Sequence, residues 1–211
     1  MKRRDDLQAA RRPGGARRSL SAKGEARRQL IVDAATRLVA HNGSRGTNLA
    51  EIAAEAGVSQ SGLLYHYPSK EALLNAVLDR RDEAEDEILW QDADSGLGIL
   101  DIIAYNVTRW ASHPHAVGMH TVLVVENLGG DGVLHPRLAS RYHLTAGRIS
   151  SVLTAAQDRG EIRGDVDTRL KAIEIIAFIN GLETAWLLDP EIPVAMTAKA
   201  WAAQQRLALA T

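Results

Sequence analysis

Residues 48–67 read NLAEIAAEAGVSQSGLLYHY, and this stretch decides the fold. Asn48 followed three residues later by Glu51 is a capping-box pair: a short acceptor at the N-cap and a carboxylate reaching back from the third helical position. A helix is therefore predicted over about 49–56, with Leu49, Ile52, Ala53 and Ala56 on its inward face, the alanines admitting a close neighbour. Gly57-Val58 turns the chain, Ser59 caps a second short helix over about 60–67, and Pro68 ends it. Two short helices joined by a Gly-Val-Ser turn form a helix-turn-helix pattern. In such a unit the second helix enters the major groove of DNA with its small polar N-terminal residues while the first braces on the backbone.

Outward from this unit the period stays helical. Leu30, Ile31, Ala34, Ala35, Leu38 and Val39 form an amphipathic stripe over about 25–41 that Asn42-Gly43 ends as a left-handed cap. Ser69-Lys70-Glu71 opens a fourth helix carrying Leu73, Leu74, Val77 and Leu78. Further helices are expected over about 97–111, 115–127, 138–159, 167–188 and 194–209, and no segment has a strand period. The expected fold is all-α: a disordered basic arm over 1–24, a helix-turn-helix DNA-binding domain over 25–75, and a larger helical domain over 76–211.

Charge divides along the same line. Residues 1–75 hold 13 Lys/Arg against 7 Asp/Glu, and residues 76–211 hold 12 against 19, so a chain of net charge −1 is basic at one end and acidic at the other. A basic first third suits a polyanion such as nucleic acid. The 211 residues, 45% of them apolar, suffice for a buried core and exclude wholesale disorder. The chain has no cysteine, which excludes disulfides, thiolate zinc sites and a cysteine nucleophile and makes a reducing, cytoplasmic location the expectation. No apolar run approaches the roughly eighteen residues of a membrane span, and no apolar segment follows the basic N-terminus as in a secretory signal. The seven histidines make no His-x3-His or HExxH pattern, and neither a nucleophile elbow nor a phosphate loop occurs. Neither catalysis nor a metal or cofactor is expected.

A longer register gives the helix-turn-helix its family. Ala35, Gly43, Thr47, Ile52-Ala53, Ala56-Gly57-Val58-Ser59, Leu63, His66, Pro68-Ser69-Lys70-Glu71 and Leu73-Leu74 resemble the TetR (tetracycline-repressor-like) signature over about 40 residues. The chain departs from it at Asn48, where a second Thr is common, at Gly62 (Thr), Leu64 (Tyr) and Tyr67 (Phe). The resemblance implies that Thr47, Asn48, His66 and Lys70 lie near phosphates while Ser59, Gln60, Ser61 and Gly62 face bases. Gln60 is suited to pair bidentately with adenine. Tyr65 and His66 are read as DNA contacts or, alternatively, as packing residues; Tyr67 is read as packing. Arg11, Arg12, Arg17, Arg18, Arg27 and Arg28 either follow the DNA backbone or a minor groove, or only solubilise the chain.

The resemblance further implies a cytoplasmic homodimer, most often a repressor, that leaves a pseudo-palindromic operator when a small molecule binds. The expected trigger is displacement of the fourth helix around residues 78–90. A pocket between the fourth and eighth helices is expected, with Trp90, Tyr105, Trp110, Met119, His120, Leu123, Asn127 and Tyr142 as candidate ligand contacts. The 167–188 helix has two apolar stripes, one with Leu170, Ile173, Ile176 and Ala177 and one with Ile175, Ile179, Leu182 and Trp186. A single protomer is not expected to bury both, so this helix and that of 194–209 are expected to pair with a partner's copies, which makes residues 76–211 the ligand-binding and dimerisation domain, and Trp186→Glu or Ile179→Glu is expected to yield monomers or insoluble chains. Two other readings fit the same residues: an activator or protein-responsive regulator of this fold, and a helical binding or catalytic protein whose N-terminal helices are only structural.

Overall fold

A computed structural model describes residues 14–92 and 95–211, with side chains from Lys23 onward. Among the described residues are nine α-helices: α1 (Gly14–Gly46), α2 (Leu49–Glu55), α3 (Gln60–His66), α4 (Lys70–Leu89), α5 (Ile99–Thr108), α6 (Pro114–Glu126), α7 (His135–Asp158), α8 (Thr168–Leu188) and α9 (Val194–Leu209). Single 3-10 turns flank α5, and an isolated bridge pairs Ile162 with Ala210.

The helix starts follow local chemistry. The Asn48–Glu51 capping box is present in both directions at 2.9 and 3.1 Å. Ser59, Ser69 and Asp167 accept from backbone N–H groups at the starts of α3, α4 and α8. α7 begins three residues before the expected 138, because Pro136 has no N–H to lose in a first turn.

The largest departure is at the N-terminus. Order was expected to begin near Glu25, but α1 extends back to Gly14, since Ala16, Arg17, Arg18, Leu20, Ala22 and Lys23 are mostly good helix formers with no proline after Pro13. The remainder of the expected arm, residues 1–13 with Arg11 and Arg12, lies outside the described residues. At Gly43 the turn is a kink with φ 75° and ψ 165°, after which helical backbone resumes to Gly46. Leu30, assigned to the inward stripe, is 53% exposed; Ile31, Val32, Ala35 and Val39 supply the buried face.

Two apolar clusters form the core. One gathers Ile31, Ala35 and Val39 of α1, Ile52 and Ala53 of α2, Leu63 of α3 and Leu73, Val77 and Leu78 of α4, with Met119 and Leu123 of α6. The other joins α5, α7, α8 and α9 around Leu100, Leu153, Ile175 and the tilted pair Trp110–Trp186, 6.0 Å between rings. α4 starts in the first cluster and reaches the second at Leu89. α6 lies along α1 and also touches α8. No helix among the described residues is long and apolar enough to cross a membrane.

The stripes of α8 separate only in part: Ile175, Leu182 and Trp186 are buried and Leu170 and Ile173 remain 64% and 46% exposed, but Ile176, assigned to the same stripe as Leu170, is half-buried in the cavity wall. Trp186 and Ile179 are nevertheless not on the outer face. Trp186 packs on Trp110, and Ile179 lines an internal cavity, so glutamate at either site attacks the protomer's own interior.

Candidate nucleic-acid interface and ligand cavity

α3 is short and held on one side only. Leu63 is fully buried against the first cluster and Tyr67, just beyond the helix, is buried beneath the Arg28 guanidinium at 5.1 Å from the ring centre. The packing role read for Tyr67 is what its burial gives. The opposite face is open: Gln60 and Ser61 are exposed, and Tyr65 is 86% exposed with its ring edge-on to half-buried His66. Ser59 spends its Oγ on the Gly62 N–H at 3.1 Å and lies 3.1 Å from the Ser61 Oγ, so it shapes the first turn of α3. A Cβ on Gly62 would sit 3.1 Å from that oxygen, which is tight for a threonine-like side chain. Lys70 opens α4 half-buried beside this face and makes no ion pair among the described residues.

Thr47 differs from the role the resemblance implies. It is 1% exposed, and its hydroxyl donates to the carbonyls of Gly43 at 2.8 Å and Leu38 at 3.3 Å. The side chain ties off the end of α1 and is not offered to a phosphate. Asn48 is exposed, but its side-chain oxygen is occupied by the capping box. The loop between α1 and α2 is fixed from the other half of the molecule by Glu126, whose carboxylate accepts from the Ser44 N–H at 3.0 Å and the Arg45 N–H at 3.4 Å.

Between α4, α5, α6, α7 and α8 lies a cavity of about 300 Å³. Four of the eight candidate ligand residues line it: Trp110, His120, Asn127 and Tyr142. Four do not. Met119 and Leu123 face away into the first core cluster, because α6 turns its apolar side to α1. Tyr105 is on the exposed side of α5. Trp90 donates from Nε1 to Asp86 at 2.8 Å, stacks under Arg148, and borders a separate shallow groove with His143 and Leu144.

The polar lining was less legible. Asn127 is buried, donating to the Leu123 carbonyl and accepting from the Leu134 N–H, while His135 Nδ1 donates to the Asn127 carbonyl. On the α4–α7 side, Arg137 bridges Asp79 and Asp82 at 2.7 and 2.8 Å, Arg141 meets Asp86 at 2.7 Å, and Arg81 meets Glu85 at 2.7 Å. Partial burial pushes the Asp86 carboxyl up, but Arg141, Trp90 and Arg148 together hold it below its ordinary value. On the α8 side stands Glu183, a lone carboxylate in the apolar run GLETAWLL, which was its only sign in the sequence.

A capped short helix with one exposed face, carried on a cavity-bearing helical body, is the arrangement of a helix-turn-helix DNA-binding domain joined to a second helical domain. Residues 31–77 match the family described as bacterial regulatory proteins, tetR family. The regulator TtgR of Pseudomonas putida is 26% identical over 181 residues, 78% of this chain and 81% of TtgR. RutR of Escherichia coli is 46% identical over 70 residues, 33% of this chain and 31% of RutR. Among solved structures, NalD, the secondary repressor of the MexAB-OprM multidrug efflux pump in Pseudomonas aeruginosa, matches with TM-score 0.70 at 21% identity, over 89% of this chain and 97% of NalD. The SmeT–triclosan complex matches with TM-score 0.75 at 19% identity, over 87% of this chain and 90% of SmeT. Residues 31–77 are thus a tetR-family helix-turn-helix domain, in a chain that is similar over most of its length to transcriptional regulators.

Proposed function

We propose that the chain is a homodimeric repressor that holds a pseudo-palindromic operator through two copies of α3 and releases it when a small molecule enters the cavity. The observation that carries this reading is α4. One continuous helix has Lys70 at the DNA-side end and Leu78, Arg81, Glu85 and Leu89 in the cavity wall. A ligand that fits the cavity only when the far half of α4 moves binds the two states unequally, and unequal binding is what a switch requires. The ends of α4 then move around residues 78–90, which alters the spacing of the paired recognition helices. NalD and SmeT, with comparable helical bodies, support repression and small-molecule binding as the mode.

In this reading Gln60, Ser61 and Gly62 face bases, Asn48, Tyr65, His66 and Lys70 approach the backbone, and residues 25–75 and 76–211 act as the two functional units of a cytoplasmic, non-catalytic protein. The exposed α8 stripe of Leu170, Ile173 and Ala177 supplies the dimer contact, with the stacked Phe178–Trp201 pair, 4.3 Å apart, beside it on α8 and α9. Dimerisation places two copies of α3 about one helical turn of DNA apart, ~34 Å. The test is to select bound fragments from a random duplex library with the purified chain at near-physiological salt. The expected result is enrichment of a pseudo-palindrome; retention of no duplex, even at low salt, overturns the reading.

A further inference from the structure

We propose that the cavity takes an apolar organic cation, a molecule whose protonated amine donates to the buried, half-satisfied carboxylate of Glu183. This rests on the ligand-release reading above and specifies its ligand. Glu183 is 6% exposed in the C-terminal third of α8 and lines the cavity. Its Oε1 accepts from the Thr121 hydroxyl and lies 3.6 Å from the His120 ring nitrogen, beyond hydrogen-bond reach. No hydrogen bond reaches Oε2 among the described residues, and His120 Nδ1 is itself buried without a hydrogen-bond partner. Burial pushes this carboxyl up, while the neighbouring His120 ring, the Arg81 charge and the Thr121 hydroxyl draw it below its ordinary value. A buried carboxylate with an open lone pair on a cavity wall is a demand for a donor, best met by a charged one.

The remaining charges point the same way. The three guanidinium groups on the cavity wall, Arg81, Arg137 and Arg141, are each already paired to carboxylates of α4. An anionic ligand would meet neutralised cations and their carboxylates. Ile103, Val107, Trp110, Ile175 and Ile179 give the wall an apolar stretch, with Asn106, Thr145 and Asn180 among its polar members, and about 300 Å³ accommodates a small aromatic or alicyclic frame.

The test uses matched ligands on the full chain: naphthylmethylamine against naphthylmethanol and naphthoate, and tert-butylbenzylamine against its alcohol and acid, titrated by calorimetry. The ammonium member of each set is expected to bind about tenfold tighter than its alcohol, with the acid weakest. Glu183→Gln, which preserves an acceptor for Thr121, is expected to bring the ammonium-to-alcohol ratio toward unity. Equal affinities within both sets, tighter binding of the acids, no binding by any member, or an undiminished ammonium preference in Glu183→Gln each overturn the proposal. Retention of an operator duplex is measured in parallel. Ammonium binding without DNA release keeps the cation site and defeats the release reading, whereas release by neutral or anionic ligands alone does the reverse.

Discussion

The carboxylate of Glu126, at the last turn of α6, accepts the backbone N–H of Ser44, 82 residues earlier, at 3.0 Å. The same helix presents His120 and Val124 to the cavity and is followed there by Asn127, so one rigid rod touches both the ligand space and the entry to the helix-turn-helix. Glu126→Ala removes the acceptor from the Ser44 and Arg45 N–H groups. A destabilisation of about 1–2 kcal/mol by thermal or urea unfolding is expected, together with weaker duplex binding, because the turn before α2 loses its tether. Unchanged stability and unchanged DNA affinity would show that the contact does not position α2.

The open face of α3 separates reading from holding. The Gln60 side chain is exposed and makes no hydrogen bond among the described residues, so Gln60→Ala is expected to lower the preference for operator over random duplex while leaving nonspecific binding in place. Lys70→Ala is expected to weaken all duplexes similarly and to reduce the salt slope by about 1. Fluorescence anisotropy against specific and random duplexes over a salt series reads both; exchanged phenotypes would reverse the two assignments.

Thr47 distinguishes a structural hydroxyl from a phosphate ligand. Thr47→Val keeps the shape but leaves the Gly43 and Leu38 carbonyls without this donor, so a stability loss of about 1 kcal/mol is expected. The salt slope of DNA binding should be that of the unaltered chain. A fall in the slope without a stability loss would restore the phosphate role.

Signals confined to a few neighbouring residues were readable: the Asn48–Glu51 box, the Ser59 cap and the Pro68 stop each act within one turn, and the helices they bound lie where the sequence puts them. What failed depended on which way a helix is rotated. Met119 and Leu123 have the same apolar chemistry as a cavity wall, yet α6 turns them toward α1, and only the packing of α1 decides that. Thr47 matches a family position, but nothing local reveals that the kink at Gly43 brings two carbonyls to its hydroxyl. Arg137, Arg141 and their α4 carboxylates are 55 or more residues apart in the chain, so their pairing has no local signature. Glu183 was visible only as a lone charge in an apolar run.

The two stripes of α8 predict opposite failures. Ile173→Glu places charge on a half-exposed face that this protomer does not bury, so a folded monomer is expected by sedimentation. Trp186→Ala empties a core position against Trp110 and is expected to cost about 3–5 kcal/mol of stability with oligomeric state preserved in whatever folds. A stable Ile173→Glu dimer would move the interface elsewhere.

The α4–α7 ion pairs make stability pH-dependent in a defined sense. Asp86 has a folded-state carboxyl held below its ordinary value by Arg141, Trp90 and Arg148 against its partial burial. A lowered carboxyl favours the folded state above its unfolded titration point, and that contribution is lost as pH falls through the folded one. Asp86→Asn should therefore be less stable than the unaltered chain at about pH 7, with the difference shrinking as pH falls below the ordinary carboxylate range and through the lowered folded-state titration point. Urea unfolding of both proteins across that range measures it. A gap that stays constant with pH would mean that Asp86 acts through packing and its hydrogen bond to Trp90, with no contribution from its charge.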